Sequence, residues 1–236
     1  MHPLILGAGA LAIALLYAGQ PAHAACPAPQ AVVQEAFMAA DCAHCWSALP
    51  VPPPKAGTAG PPGWRLDWIT PAAASAPLAA AALPEAADRA VRAARAGAAS
   101  AVAGRPFAMR LQVASGPAWN GYFGLQMTLQ PARAGSNRAG LPAGSTAWLA
   151  LVELLPAGTD GSTVARALVR SVAGPLPLDG PAAGTSLNQL QPELQPISHL
   201  RALRWPEGAR PERLQARAWI EAPTGQVQLM AADRCP

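Results

Sequence analysis

Cys42-Ala43-His44-Cys45 stands between an apolar stretch and a proline cluster, and the two flanks leave the pair few conformations. Upstream, Val32, Val33, Ala36 and Phe37 read as a buried strand within residues 31–38, after which Ala39-Ala40-Asp41 turns the chain into the cysteines. Asp41 suits the N-cap of a helical turn starting at Cys42, because its carboxylate accepts an otherwise unpaired amide. Downstream, Pro50, Pro52, Pro53 and Pro54 end any helix, since proline lacks an amide proton and its ring clashes with the preceding turn. The pair is thereby confined to a strand, a turn and a helix running no further than Leu49.

That placement suits thiol–disulfide exchange. A cysteine at a helix start meets free backbone N–H groups, which favour the thiolate and lower its pKa from about 8.5. Cys42 is then the attacking sulfur, and Cys45, one turn later, resolves the mixed disulfide. His44 lies between them and stabilises a thiolate when protonated; it reads equally well as a solvent-facing histidine beside a purely structural staple. Zinc needs four ligands, and the chain offers neither a second C-x-x-C nor a spaced histidine pair. G-x-S-x-G, a glycine-rich phosphate loop with its lysine, and H-E-x-x-H are all absent, so no cofactor or metal is expected.

The front of the chain points to export. An apolar run over residues 4–16 and the small-x-small ending of Pro21-Ala22-His23-Ala24 read as a signal peptide, residues 1–24, cleaved after Ala24. The run is too short to span a bilayer comfortably, and a periplasmic or secreted location is expected; a retained amphiphilic anchor is the alternative, and a lipoprotein reading on Cys26 is disfavoured because His23 stands where a lipidation signal wants an aliphatic residue. Cys26 and Cys235 stand near the two mature ends and can pair, although four cysteines allow three connectivities. Net charge is +4, with Lys55 the only lysine. The arginines are scattered and do not alternate with stacking aromatics, which argues against nucleic acid as a partner.

Beyond the prolines, Trp64 to Ile69 reads as a strand carrying Asp67. Beside the first strand, Asp67 would be positioned to accept a proton from Cys45; as a plain alternative it pairs with Arg65. Residues 83–99 read as a helix with Ala87, Ala90, Val91 and Ala94 on its apolar face, opposite Arg89, Arg92 and Arg95. From Pro106 onward, alternating runs at 107–113 and 122–129 and further short strands at 148–155, 200–205, 214–220 and 227–230 describe an antiparallel sandwich or open sheet. Residues 163–172 are balanced between helix and strand. Trp119-Asn120-Gly121-Tyr122 contains a hairpin-turn pair, Asn120-Gly121, with an aromatic on either side.

Three stretches carry a family likeness: Val32-Val33-Gln34-Glu35-Ala36-Phe37-Met38, then Asp41-Cys42-Ala43-His44-Cys45-Trp46, then Leu66-Asp67-Trp68. Together they resemble the exported bacterial thioredoxin-like family catalogued as domain of unknown function 1223. Residues 165–170 and 214–232 are similar to that family's later strands. Trp46 stands where the family has proline, and the helix after the cysteines is shorter than the family's. The resemblance implies a cis-proline loop, for which Pro71 and Pro106 are the candidates; the residues themselves also read as ordinary turn prolines.

The resulting expectation is an α/β plus β fold, a divergent thioredoxin-like domain packed with an antiparallel β-sandwich-like domain. The thioredoxin-like region covers residues 25–105 and the β-rich region 106–236. The expected function is thiol–disulfide exchange on a protein thiol or disulfide partner through Cys42, Cys45, His44 and Asp67. A non-catalytic binding or assembly module with structural disulfides is the alternative. Oligomeric state is not legible.

Overall fold

The computed structural model describes residues 32–48, 64–96, 99–101, 109–132, 141–178 and 196–234. The expected signal peptide, Cys26, Cys235 and their proposed bond, the proline cluster and Pro106 lie outside these residues. Ten strands and two α-helices are described: β1 Val32–Ala39, α1 Ala43–Ala48, β2 Trp64–Thr70, α2 Glu85–Ala96, β3 Ala99–Ala101, β4 Met109–Trp119, β5 Tyr122–Pro131, β6 Thr146–Leu155, β7 Arg166–Pro177, β8 Ile197–Arg204, β9 Leu214–Glu221 and β10 Val227–Ala232. They form a mixed α/β fold with two sheets, one of seven strands in the order β10-β9-β6-β7-β2-β1-β3 and one of three in the order β4-β5-β8.

β1 pairs with β2 in parallel, Ala36 opposite Asp67, and with β3 antiparallel. β6, β7, β9 and β10 pair antiparallel among themselves. One contact departs from the all-antiparallel expectation for the later strands: β7 joins β2 in parallel, with Asp67 opposite Leu168. The larger sheet therefore runs without a break from the strand that leads into the cysteines to the last one. Residues 166–172, ambiguous in sequence, are strand, because Leu168 and Val169 are buried on opposite faces of the sheet.

One face of the large sheet carries Val33, Leu66, Trp68, Trp148 and Trp219, with α2 lying on it. Trp148 and Trp219 stack at 5.9 Å between ring centroids, and Trp68 meets Trp219 edge-on at 6.4 Å. The opposite face has two coverings. The three-stranded sheet buries Leu125, Met127 and Leu129 against Leu149, Leu151, Ala218 and Ile220, while α1 covers Met38, Ile69, Leu155 and Leu168 with Trp46. Asn120 and Gly121 turn β4 into β5 with φ of 48° and 77°, the left-handed pair that a tight hairpin needs.

α2 reverses the expected orientation. Ala86 and Arg89 are its buried residues, Ala90 and Ala93 are half-buried, and Val91, expected in the apolar face, is 54% exposed. The Arg89 side chain, 1% exposed, takes both oxygens of Glu35 at 2.8 and 2.6 Å and also bonds Glu221, while lying 5.7 Å from the ring centroids of Trp148 and Trp219. Glu35 is on β1 and Glu221 on β9, four positions apart in the sheet. Flat strands at about 4.8 Å spacing would separate them by roughly 19 Å. One guanidinium joins both, so the sheet curls around α2. Small alanines on the helix permit that close approach, and helical spacing alone could not show that the charged side was the inner one.

A 3-10 turn, Ala79–Ala81, lies between β2 and α2. Pro71 does not follow a cis bond; the cis peptide among the described residues is Gly174–Pro175, within β7. Among the described residues, no helix is long and apolar enough to cross a membrane.

Candidate functional site

β1 delivers the chain to the cysteines. The amide of Cys42 donates to the Ala39 carbonyl at 3.0 Å, closing the turn, and α1 starts at Ala43. Cys42 and Cys45 form a disulfide with Cα atoms 5.2 Å apart. The Cys45 amide donates to Cys42 Sγ at 3.2 Å and the Trp46 amide to the Cys42 carbonyl at 3.2 Å. The sulfur of Cys42 thus occupies the capping place expected of Asp41, whose own side chain is exposed. A helix starting one residue later makes Cys42 the N-cap. Both cysteines are half-buried, His44 is exposed, and Trp46 is buried.

Asp67 reaches this unit indirectly. Its carboxylate, fully buried, accepts from Arg65 Nε at 2.8 Å, from Arg166 Nη1 at 3.4 Å and from the Ala167 amide at 2.8 Å. Arg166 in turn donates to the carbonyls of Cys45, at 3.1 Å, and Trp46. Its Nε donates to Ser162 Oγ at 3.0 Å and its guanidinium lies 5.2 Å from the Trp46 ring centroid. Of the predicted site residues, the fold brings Cys42 and Cys45 into a bond and His44 onto the exposed side of their helix. It ties Asp67 to the cysteines through an arginine.

The segment leading into β7 holds the other end of α1. Trp46 Nε1 donates to the Asp160 carbonyl at 2.7 Å, and both the amide and the hydroxyl of Thr163 donate to the Ser47 carbonyl, at 3.0 and 2.6 Å. A six-residue helix leaves its last carbonyls without partners of its own. Arg166 and Thr163 satisfy three of them. Asp160 and Gly161 adopt left-handed φ of 49° and 76°, which turns the Asp160 carbonyl to the indole.

Burial sets the charge balance here. Desolvation pulls the Arg166 guanidinium below its ordinary pKa range, with Arg65 adding repulsion and Asp67 opposing both. Arg217, which donates to the Arg65 carbonyl, is pushed down to about 10 by burial against the pull of Asp67 and Asp233. All remain cations at neutral pH. The Asp67 carboxylate is shared between the guanidiniums of Arg65 and Arg166.

Arg166, Ser162, Thr163 and Asp160 were not foreseen as site residues. They lie more than 100 residues from the cysteines, and an arginine in a strand carries no sign of what it will face. Among the described residues, no group of three or more His, Cys, Asp or Glu side chains is placed to hold a metal. Two clefts of about 230 and 220 Å³ lie along β4, both lined by Ala114 and Asp233, and neither touches the cysteines. Comparison with protein-family models, with curated proteins and with solved structures finds no match.

Proposed function

We propose that this chain is an exported, divergent thioredoxin-like protein that exchanges disulfides with a protein thiol partner through Cys42 and Cys45. The observation that carries the reading is the hydrogen bond from the Cys45 amide to Cys42 Sγ in a pair joined as a disulfide directly after β1. On reduction, that donor favours a thiolate at Cys42 over a thiol. The order β2-β1-β3, with β1 parallel to β2 and antiparallel to β3, and a helix in each connection, supports the thioredoxin-like reading.

In the oxidised direction, a substrate thiolate attacks Cys42 Sγ, the Cys42–Cys45 bond breaks, and Cys45 leaves as thiolate. A second substrate thiol, deprotonated, then attacks the substrate sulfur of the mixed disulfide and releases the Cys42 thiolate. The substrate loses two electrons and two protons, and the cysteine pair gains the two electrons. Run backward, the same steps reduce a substrate disulfide. His44 is exposed on the same helix, between the two cysteines.

A second reading, a structural staple, draws on the grip of Arg166 and Thr163 on α1, which is equally what a fixed crosslink needs. One experiment separates the two. Purified protein is mixed with a fluorogenic disulfide peptide and dithiothreitol. Exchange is expected in the wild type and lost in Cys42→Ser, while Cys45→Ser accumulates a mixed disulfide with the peptide. A Cys42→Ser protein as active as the wild type leaves the staple reading.

A further inference from the structure

We infer that Arg166 is a positioning residue for the Cys42–Cys45 pair that makes the disulfide easier to reduce, and that Asp67 acts on the cysteines only through it. This rests on the exchange reading above. Arg166 is 3% exposed and reaches the pair from β7, its Nη2 3.1 Å from the Cys45 carbonyl and its Nε fixed on Ser162. The Asp67 carboxylate holds the same guanidinium and is shared with Arg65, so it neutralises only part of the charge that the two arginines bring. Asp41, His44 and Asp160, the other titratable side chains on α1 and its flanks, are exposed and screened by water.

The chemistry follows from where charge appears. In the disulfide form neither sulfur is charged. When a dithiol reduces the bond, the dithiol is oxidised, Cys42 and Cys45 take up two electrons, and at least one sulfur becomes a thiolate. A buried cation held against the backbone of Cys45 interacts with that new charge through a medium of low dielectric and so favours the reduced pair. The pair becomes more oxidising toward its partner. Asp67, fully buried and accepting from Arg65, Arg166 and the Ala167 amide, serves to hold Arg166 in place.

The test is the equilibrium of the full-length protein with dithiothreitol of known oxidised-to-reduced ratio, read by alkylation of free thiols. Arg166→Met is expected to shift the equilibrium about tenfold toward the disulfide form, about 30 mV for a two-electron couple. Arg166→Lys keeps the charge but not the fork, and is expected to recover at least half of that shift on a logarithmic scale. A role limited to packing would leave lysine no better than methionine. Ser162→Ala, a milder change that frees Arg166 Nε, should move the equilibrium two- to threefold the same way and stands in if Arg166→Met does not fold. Unchanged equilibria in these variants, or a shift toward the dithiol, overturn the inference while wild-type exchange keeps the functional reading intact. A wild-type disulfide that resists the dithiol altogether overturns both.

Discussion

Glu35 and Glu221 share a single arginine, and the sharing is unequal. Glu35 chelates Arg89 with both oxygens, whereas Glu221 has one bond to it and is 3% exposed. Desolvation raises the Glu221 pKa above its ordinary range of about 4.3, against the pull of Arg89 and with the charge of Glu35 adding to the rise. For Arg89 the balance runs the other way: burial opposes its charge, but the two carboxylates more than offset burial and keep it protonated. A carboxyl with a raised native pKa holds an extra proton when folded. Its contribution to stability is complete below the unfolded value and is lost as pH rises through the native one. Glu221→Gln has no such loss, so its melting temperature minus that of the wild type is expected to increase between pH 4 and pH 8. A difference that shrinks over that range would show that Arg89 outweighs burial.

At the scale of elements, α2 works by inserting charge where its sequence promises only alanine. Arg89 ties β1 to β9 from inside the curl, with Trp68 Nε1 also donating to Glu35 at 3.0 Å. Removing the cation leaves two carboxylates in a tryptophan-lined interior. Arg89→Met is expected to cost about 3–5 kcal/mol, measured by urea denaturation, because an unpaired buried charge loses its water without a counter-charge. Replacing all three members, Arg89→Met with Glu35→Gln and Glu221→Gln, should recover part of that loss; a loss under 1 kcal/mol in the single variant would mean water already reaches the cluster. Close packing governs the same face elsewhere. A Cβ on Gly174 would lie 2.4 Å from Trp148 Cε3, so β7 passes over that ring only as glycine.

Across the whole molecule, the large sheet binds distant parts of the chain into one unit. β2 sits between β1 and β7, and α1 is held by residues 160–166. The tryptophans of β2, β6 and β9 share one core, on the face opposite the disulfide. Unfolding in guanidinium is therefore expected to be a single transition, with tryptophan fluorescence and the reactivity of the Cys42–Cys45 disulfide toward a dithiol changing at the same midpoint. Two separated midpoints would show that the unit around the cysteines opens by itself.

What local chemistry dictates was legible in the residues. Alternating side chains gave β5 and the start of β4, which runs on six residues past its expected end to Trp119, apolar runs between turn residues gave β6, β9 and β10 to within two positions, Asn120-Gly121 gave a hairpin, and the spacing of Cys42 and Cys45 gave a short disulfide loop. These depend on neighbours in the chain. Arg65, two positions from Asp67 and already read as its alternative partner, is local in the same way; the other partners of Asp67 and those of Arg89 and Arg166 are not. Arg89 looked solvated because its helix presents alanines on one side and arginines on the other; it turns inward because the sheet curls enough to bring Glu35 and Glu221 to one point. Arg166 meets Cys45 because β7 aligns in parallel with β2, Asp67 opposite Leu168, a pairing between residues 101 positions apart that no local pattern encodes. A charged side chain is buried only where opposite charges and hydrogen-bonding groups converge on it, and that convergence exists only once the distant strands are in register.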